Sequence, residues 1–162
     1  MTAVRLALPD LAATRALARR LARCLRRGDL VTLEGELGVG KTAFARALIQ
    51  SLAGAEIEVP SPSFTLVQRY ELPGLTVTHA DLYRLGAPED LQELDLEEAL
   101  EAGAVLVEWP ERAGAMLPAD RLRLRFSFAP DGGEEARELV IEAGPSWRDR
   151  LPALPAERTD AR

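Results

Sequence analysis

The stretch from Gly35 to Thr42 constrains this sequence more than any other. Its residues, Gly-Glu-Leu-Gly-Val-Gly-Lys-Thr, match the pattern Gly-x-x-x-x-Gly-Lys-Ser/Thr at every fixed position. The apolar run 30–33 before it predicts a buried strand, and the segment 43–49 after it predicts a helix. In that setting a glycine loop points its backbone N–H groups at a phosphate, and the helix N-terminus adds positive charge. The sequence therefore predicts a phosphate-binding loop rather than a plain glycine-rich turn.

Lys41 is the only lysine in the sequence, and all the other strongly basic side chains are arginines. A compact ammonium fits between phosphates, where a planar guanidinium is no substitute. We expect Lys41 to reach the outer phosphates and the Thr42 hydroxyl to bind Mg²⁺. Guanine-specific proteins read their base with an Asn-Lys-x-Asp loop, which would need a second lysine. ATP is therefore favoured over GTP.

Two acidic residues stand where predicted strands end. Asp81 follows the run 75–79, and Glu108 follows the run 104–107. Open α/β sheets bind ligands at the carboxyl ends of their strands, and an acid there can hold Mg²⁺ or orient an attacking water. We predict that both acids belong to the site; the alternative is that one of them is only a solvated loop residue. Which of the two orients the water is left open.

Several neighbouring residues have two interpretations each. His79, the only histidine, is more typical of a packed, hydrogen-bonded residue than of a proton shuttle. Trp109 fits a core aromatic and a side chain against the nucleotide site or a partner equally well. The hydroxyl-rich loop 61–65 is either a plain connection or a loop that switches with the γ-phosphate. Arg123 and Arg125 indicate a solvated sheet face, with a patch for a partner or RNA as the alternative.

The alternation of predicted strands and helices assigns the chain to the α/β class, with a mixed central sheet flanked by helices as in P-loop NTPases. Two pairs of strands read as hairpins, one turning at Pro73-Gly74 and the other at 131–133. We predict one P-loop domain at 1–145 and a weakly structured tail at 146–162. Strands are predicted at 4–8, 30–34, 64–70, 75–79, 104–107, 121–128 and 138–142. Helices are predicted at 9–28 and 43–52, and one or two short helices between 88 and 103.

Composition limits the number of domains, the kinds of binding surface and the cellular compartment that we expect. A chain of 162 residues, 47% hydrophobic and 28% charged, is typical of one soluble domain. The net charge of −6 argues against a broad nucleic-acid or membrane surface, although it is compatible with a local basic patch. We therefore expect no stable DNA binding and no membrane association. Cys24 is the only cysteine and cannot form an internal disulfide, which favours the cytoplasm.

Four motifs occur in order: Gly-Glu-Leu-Gly-Val-Gly-Lys-Thr at 35–42, Ser-Pro-Ser-Phe-Thr-Leu-Val at 61–67, His-Ala-Asp-Leu-Tyr-Arg-Leu at 79–85 and Val-Glu-Trp-Pro-Glu-Arg at 107–112. Together they resemble the TsaE (YjeE-type) ATPases. The resemblance implies a bacterial subunit that binds and hydrolyses ATP and acts with TsaD and TsaB to form N6-threonylcarbamoyladenosine at position 37 of tRNA. It also implies that tRNA is contacted via the complex. We expect hydrolysis to be slow in the isolated chain and to be stimulated by a partner.

The resemblance further implies functions for individual residues. Lys41, Asp81 and Glu108 are the expected catalytic residues, and Thr42, Glu108 and Asp81 the expected Mg²⁺ ligands. The loop 61–65 resembles the first switch of the family. The residues expected to bind ATP are Leu11, Gly38, Val39, Gly40, Lys41, Thr42, Ala43 and Arg137, with Leu11 and Thr14 near the adenine end and Trp109 beside the second switch.

The main alternative is a small-molecule P-loop kinase. Such enzymes usually carry an arginine-bearing lid and an acceptor pocket. The segment 85–103 is instead rich in leucine and glutamate and contains no arginine, so it is a poor lid for a phosphoryl donor. A nucleotide-gated binding module, in which hydrolysis is incidental, is a further alternative.

Overall fold

The computed structural model describes residues 2–62 and 65–150, which form a seven-stranded sheet with helical segments packed on both faces. The predicted α/β class and mixed central sheet are confirmed. In the described part of the chain, no helix has the length and apolar character needed to cross a membrane. The strands are β1 (Thr2–Leu8), β2 (Leu30–Glu34), β3 (Val67–Leu72), β4 (Leu75–Asp81), β5 (Gly103–Glu108), β6 (Leu122–Phe128) and β7 (Arg137–Ala143). The helices are α1 (Leu11–Cys24), α2 (Lys41–Ala53) and α3 (Leu96–Ala102), with 3-10 helices at Pro88–Leu94, Pro110–Met116 and Pro145–Trp147.

The strand order is β1-β7-β6-β2-β5-β4-β3, and its four central strands, β6, β2, β5 and β4, run parallel. β3 with β4 and β6 with β7 form the two predicted antiparallel hairpins, and β1 adds antiparallel to β7. The carboxyl ends of parallel strands meet at one edge of a sheet. Glu34, Asp81 and Glu108 therefore end three neighbouring strands at the same edge.

Both faces of the central strands are covered, which explains why their sequences are apolar runs rather than alternating patterns. On β5, Ala104 and Leu106 pack in the cluster that α1 and α2 form with the sheet, whereas Val105 packs in the cluster around α3. On α2, the Phe44 ring meets the Phe126 ring of β6 edge to face, 5.5 Å between centroids. This packing fixes α2, and the loop before it, against the sheet.

α1 begins at a polar cap and ends earlier than predicted. The Asp10 side chain accepts a hydrogen bond from the Ala13 N–H at 2.8 Å, as an N-cap residue does. The helix ends at Cys24 because Leu25 has an extended backbone, so the predicted end at Gly28 was wrong. Gly28, with φ of 91°, lies in the turn that leads into β2. The buried face of α1 consists of Thr14, Leu17, Ala18, Leu21 and Ala22.

β3 also starts later than predicted. The strand expected from residue 64 begins at Val67, and residue 64 itself lies outside the described residues. Leu66 has φ of 64°, a left-handed conformation that does not continue a strand, and its N–H donates to the Pro62 carbonyl at 2.8 Å. The local turn therefore overrides the apolar alternation. It also brings the Leu66 carbonyl to the Asp81 N–H, at 2.9 Å.

The chain remains packed beyond β7. Trp147 is fully buried in a short 3-10 helix, Pro145–Trp147. The Arg150 guanidinium lies over the Trp147 ring and donates to both carboxylate oxygens of Asp29, at 2.6 and 2.8 Å. Packing therefore extends at least to Arg150. The division into a domain at 1–145 and a tail at 146–162 stays a prediction, since residues 151–162 lie outside the described part.

Arg123 and Arg125 form ion pairs across the sheet. Arg123 donates to both carboxylate oxygens of Glu34, at 3.1 and 3.3 Å. Arg125 donates to Glu142 at 2.8 Å. Because these charges are paired with acids on the same sheet face, the structure favours a solvated sheet face over a patch for a partner or RNA.

Gly103 begins β5 against β4 with no room for a side chain. A Cβ at Gly103 would lie 1.9 Å from the Thr76 carbonyl oxygen, so Gly103→Ala forces the two strands to shift. We expect this variant to lower the free energy of unfolding by about 2–3 kcal/mol, measured by urea denaturation. Gly133→Ala is the matched control, because a Cβ there meets no atom within 4 Å. Equal stability of the two variants would contradict the prediction.

Candidate functional site

The glycines of the loop between β2 and α2 adopt conformations that other residues avoid. Gly35, Gly38 and Gly40 have φ of 145°, 80° and 116°. A Cβ at Gly35 would also come within 2.6 Å of the Phe126 carbonyl oxygen, so the loop lies tightly against β6. Gly40 is the N-cap of α2, which begins at Lys41. Loop and helix N-terminus thus have the arrangement that binds phosphate in P-loop proteins.

Lys41 is only 4% exposed, which is unusual for a lysine. Its ammonium donates a hydrogen bond to the Gly35 carbonyl. It also lies over the Trp109 ring, 3.4 Å from the ring centroid. A phosphate that binds this ammonium must therefore replace its interactions with a carbonyl oxygen and an aromatic ring.

Burial lowers the pKa of Lys41, while the charges of Glu108, Glu111 and Asp81 act in the opposite direction. The net direction is downward, because removal of water disfavours the charged ammonium more than the three carboxylates favour it. Additional negative charge beside the ammonium would relieve this cost. The site is therefore electrostatically suited to an anionic ligand at Lys41.

Glu108, the last residue of β5, is 2% exposed and joins two other side chains. Its Oε1 accepts a hydrogen bond from the Thr42 hydroxyl at 2.8 Å, and its Oε2 lies 2.6 Å from Nε2 of His79. His79 is fully buried, and its Nδ1 has no hydrogen-bond partner among the described residues. Because a buried carboxylate is costly without such partners, these three residues form one polar unit, which we call the Glu108 unit.

Asp81 ends β4 directly beside Glu108, and the two residues are paired in register across the parallel strands. Asp81 is 5% exposed, and its Oδ1 accepts a hydrogen bond from the Tyr83 N–H at 3.0 Å. Its own N–H donates to the Leu66 carbonyl. The two predicted acids therefore lie side by side at the edge of the sheet that carries the phosphate loop.

Trp109 turns its ring toward the loop through an unusual backbone conformation. Its φ and ψ are 58° and 50°, which are uncommon for a bulky residue, and its N–H donates to the Leu33 carbonyl at 3.3 Å. Such strained residues concentrate at functional sites. The ring contacts the Lys41 ammonium and also the Tyr83 ring, with 4.8 Å between the two ring centroids. Of the two interpretations, the contact favours packing against the site.

Arg137, at the start of β7, is hydrogen-bonded to the loop. Its Nε donates to the Val39 carbonyl at 2.7 Å, and its Nη1 donates to the carbonyls of Glu134 and Ala136. Its guanidinium also lies over the Phe128 ring, 4.6 Å from the centroid. Arg137 therefore supports the loop from the adjoining strand, and its contact with a nucleotide stays a prediction.

Leu11, the first residue of α1, lies near the same corner. Its N–H donates to the Glu135 carboxylate at 3.3 Å, which brings the start of the helix to the turn that precedes Arg137. Thr14, expected with Leu11 at the adenine end, is 4% exposed on the buried face of α1. The structure thus places Leu11 against the turn between β6 and β7 and turns Thr14 into the core.

The side chains present fit a metal ion that arrives with a nucleotide. Thr42 and Glu108 offer oxygen atoms only, and Asp81 adds a carboxylate on the neighbouring strand. Among residues 2–62 and 65–150, no group of three or more His, Cys, Asp or Glu side chains is arranged to hold a metal by itself. Mg²⁺ prefers oxygen ligands, keeps several waters and is held by one or two carboxylates together with phosphates.

The predicted switch loop 61–65 is described only in part. Ser63 and Phe64 lie outside the described residues, so the function of the loop stays a prediction. Its carboxyl end connects to the site through the hydrogen bond between Leu66 and Asp81.

Sequence reasoning missed the contact between His79 and Glu108. A signal for it existed: His79 and Asp81 are two residues apart and so share a face of β4, next to the face of β5 that carries Glu108. Tyr83 was missed as well, because its packing on Trp109 depends on the turn after β4.

The parallel strands, the glycine loop after β2 and the helix that starts at Lys41 define the class: the molecule is a P-loop protein of the α/β type. Within that class the chain belongs to the TsaE family, because the family model described as "Threonylcarbamoyl adenosine biosynthesis protein TsaE" matches residues 8–138. The resemblance stated from the four motifs is confirmed.

Individual relatives agree. The "tRNA threonylcarbamoyladenosine biosynthesis protein TsaE" of Rickettsia felis is 43% identical over 142 residues, 88% of this chain and 83% of that protein. Its counterpart from Streptomyces coelicolor is 41% identical and spans 82% of this chain and 93% of that protein. The crystal structure of Bacillus subtilis YdiB matches with a TM-score of 0.75 at 30% identity, covering 93% of this chain and 92% of that one.

Arg137→Ala should loosen the phosphate loop. Loss of a hydrogen bond from a charged donor costs about 1.5–3 kcal/mol, so we expect the Kd for ADP, measured by calorimetry, to rise about tenfold. The ligand-free variant should also melt a few degrees lower, because the bond to Val39 is internal to the protein. Arg125→Ala on the neighbouring strand is the control and should leave the Kd unchanged. A weaker Kd with unchanged melting of the ligand-free variant would instead indicate a direct nucleotide contact.

Proposed function

We propose that this chain is the Mg²⁺-dependent ATPase subunit of the bacterial machinery that forms N6-threonylcarbamoyladenosine at position 37 of tRNA. In this proposal it acts with TsaD and TsaB in the cytoplasm. The observation that carries it is the Glu108 unit beside the phosphate loop of a TsaE-family chain. The family accounts for the link to threonylcarbamoyladenosine, and the site geometry supports a phosphate-bearing ligand with a metal ion.

The loop supplies most of the proposed binding. Backbone N–H groups from Gly38 to Ala43 donate to phosphate oxygens at the N-terminus of α2. The Lys41 ammonium exchanges its contacts with Gly35 and Trp109 for the outer phosphates. The absence of any second lysine, and hence of a guanine-reading loop, favours ATP.

Thr42 and Glu108 would hold Mg²⁺, with Asp81 adjacent. The ion, when bound, neutralises charge on the phosphate oxygens. Hydrolysis joins a water oxygen to the γ-phosphorus, breaks the bond to the β–γ bridging oxygen and releases ADP and phosphate. Either Asp81 or Glu108 orients that water. We expect slow turnover by the isolated chain, with a partner supplying the stimulus.

Replacement of Lys41 tests the proposed ATP site. Lys41→Ala removes charged hydrogen bonds to the phosphates, and we expect ATP binding to weaken about 100-fold. Lys41→Arg should be nearly as weak, because a planar guanidinium does not replace the compact ammonium. Arg69→Ala is the control, since the ion pair that Arg69 forms with Glu98 at 3.8 Å is exposed. Binding is measured by calorimetry and turnover by phosphate release.

Reconstitution tests the wider function. The chain with TsaD, TsaB, ATP and unmodified tRNA should support repeated rounds of modification, and Lys41→Ala should not. Failure of the unsubstituted chain in this assay would overturn the proposal. Transfer of the γ-phosphate to a metabolite rather than to water would identify a small-molecule kinase. Modification that persists when Glu108→Ala abolishes hydrolysis would favour a nucleotide-gated binding module.

His79 is expected to strengthen Mg²⁺ binding by holding the carboxylate of Glu108 in position. His79→Leu removes the partner of Oε2, so we expect the gain in ADP affinity on adding Mg²⁺ to fall about tenfold. His79→Gln keeps a donor and should restore part of that gain. Affinity for ADP in the absence of Mg²⁺ serves as the control and should change little. An identical Mg²⁺-dependent gain in His79→Leu and the unsubstituted chain would refute this assignment.

A further inference from the structure

The outer face of α1 concentrates positive charge that the nucleotide site does not use. Between residues 11 and 28 the chain has six arginines and no acidic residue, although its net charge is −6. Arg15, Arg19 and Arg23 are exposed and four residues apart, so they form one stripe with a spacing of about 6 Å along the helix. Two more exposed arginines follow in the turn after α1. The arginine ridge is defined as Arg15, Arg19, Arg23, Arg26 and Arg27.

No arginine of the ridge forms an ion pair with a described residue. Glu56 lines the same groove between α1 and α2 as Arg15 and Arg19, yet it pairs with neither. Like charges four residues apart on a helix repel each other. A surface that serves solubility alone intersperses both signs. An anionic partner outside the chain would therefore stabilise the ridge by reducing this repulsion.

The chemistry of the face favours a phosphate backbone over a protein surface. Protein interfaces use arginine as well, but together with Trp and Tyr anchors clustered in well-packed pockets. The exposed large apolar side chains of the described residues are Leu37, Tyr83, Met116 and Phe128, and none of them lies on α1. Between its arginines the helix exposes no side chain larger than alanine. A row of arginines without anchors matches the regularly repeated charges of a nucleic-acid strand.

The position of the ridge leaves the nucleotide site accessible. α1 starts at the loop edge of the sheet, where Leu11 contacts Glu135. It ends at the opposite edge, where the Arg26 N–H donates to Asp29 just before β2. From Arg15 onward the ridge runs away from the loop edge of the sheet, so a polyanion can occupy its far part, from Arg19 to Arg27, while a nucleotide is bound.

We propose that the arginine ridge binds the phosphate backbone of RNA, which makes α1 a direct contact for tRNA. This goes beyond the expectation that tRNA is contacted via the complex. The inference rests on the proposed function for the choice of tRNA as the RNA. The charge, exposure and missing partners of the ridge do not depend on ATP hydrolysis.

Salt-dependent binding tests the ridge. The full chain is titrated into a fluorescently labelled, unmodified tRNA transcript between about 50 and 200 mM KCl, with anisotropy as the readout. Five phosphate contacts predict a slope of about −3.5 to −4.5 in log K against log salt concentration. The double variant Arg19→Gln/Arg23→Gln should bind at least about tenfold more weakly at low salt. Its slope should be shallower by about 1.4 to 1.8.

A charge-matched variant controls for net charge. Arg69→Gln/Arg125→Gln also removes two positive charges, from arginines that are 43% and 52% exposed and already paired with glutamates. It should bind tRNA like the unsubstituted chain. Equal weakening in both double variants would assign the effect to net charge and overturn the proposal. So would tRNA binding without salt dependence in the unsubstituted chain.

The ridge variant also separates this inference from the proposed function. Normal ATP hydrolysis with weakened tRNA binding supports the ridge. Unchanged tRNA binding overturns it, and if that variant then fails to bind TsaD and TsaB, the ridge serves an acidic protein surface instead. Failure of the proposed function would show separately, as absent tRNA modification by the unsubstituted chain whether or not its ridge binds tRNA.

Discussion

The site depends on the hydrogen bonds of the Glu108 carboxylate, because they join three separate parts of the chain: β5, α2 and β4. The carboxylate accepts a hydrogen bond from Thr42 in the first turn of α2 and lies against His79 of β4. A buried charge of this kind is stable only while its partners stay in place. The first turn of the phosphate-loop helix is therefore tied to the ends of two central strands, and the predicted metal ligands are positioned by the same bonds.

The loop itself is held from outside. Gly35 lies against the backbone of β6, and Val39 accepts a hydrogen bond from Arg137 of β7. The Lys41 ammonium makes contacts that a phosphate would have to replace, with a carbonyl and with the Trp109 ring, and the Val39 N–H donates to the Glu36 carbonyl. Ligand binding thus requires local exchanges of contacts on a supported backbone, and such preorganisation reduces the entropic cost of binding.

The arginines of this molecule fall into two groups, those paired with acidic side chains and those without such partners in the described part of the chain. On the sheet, Arg123 and Arg125 are neutralised by acids on adjacent strands, and after β7 Arg150 is neutralised by Asp29. On α1 the arginines have no such partners among the described residues. The paired arginines stabilise the fold locally. The arginines of α1 leave a region of positive potential that can bind an external polyanion.

The sequence by itself determined the phosphate loop, its strand and helix, the acids at two strand ends and the family, because each depends on residues close together in the chain. Only the tertiary structure decided the start of β3, where Leu66 takes a left-handed turn, and the partners of the site residues. Thr42 and Glu108 are 66 residues apart, and Val39 and Arg137 are 98 apart. Motifs assigned such residues to one site but did not give their hydrogen-bond partners, since strand order and register bring them within hydrogen-bonding distance.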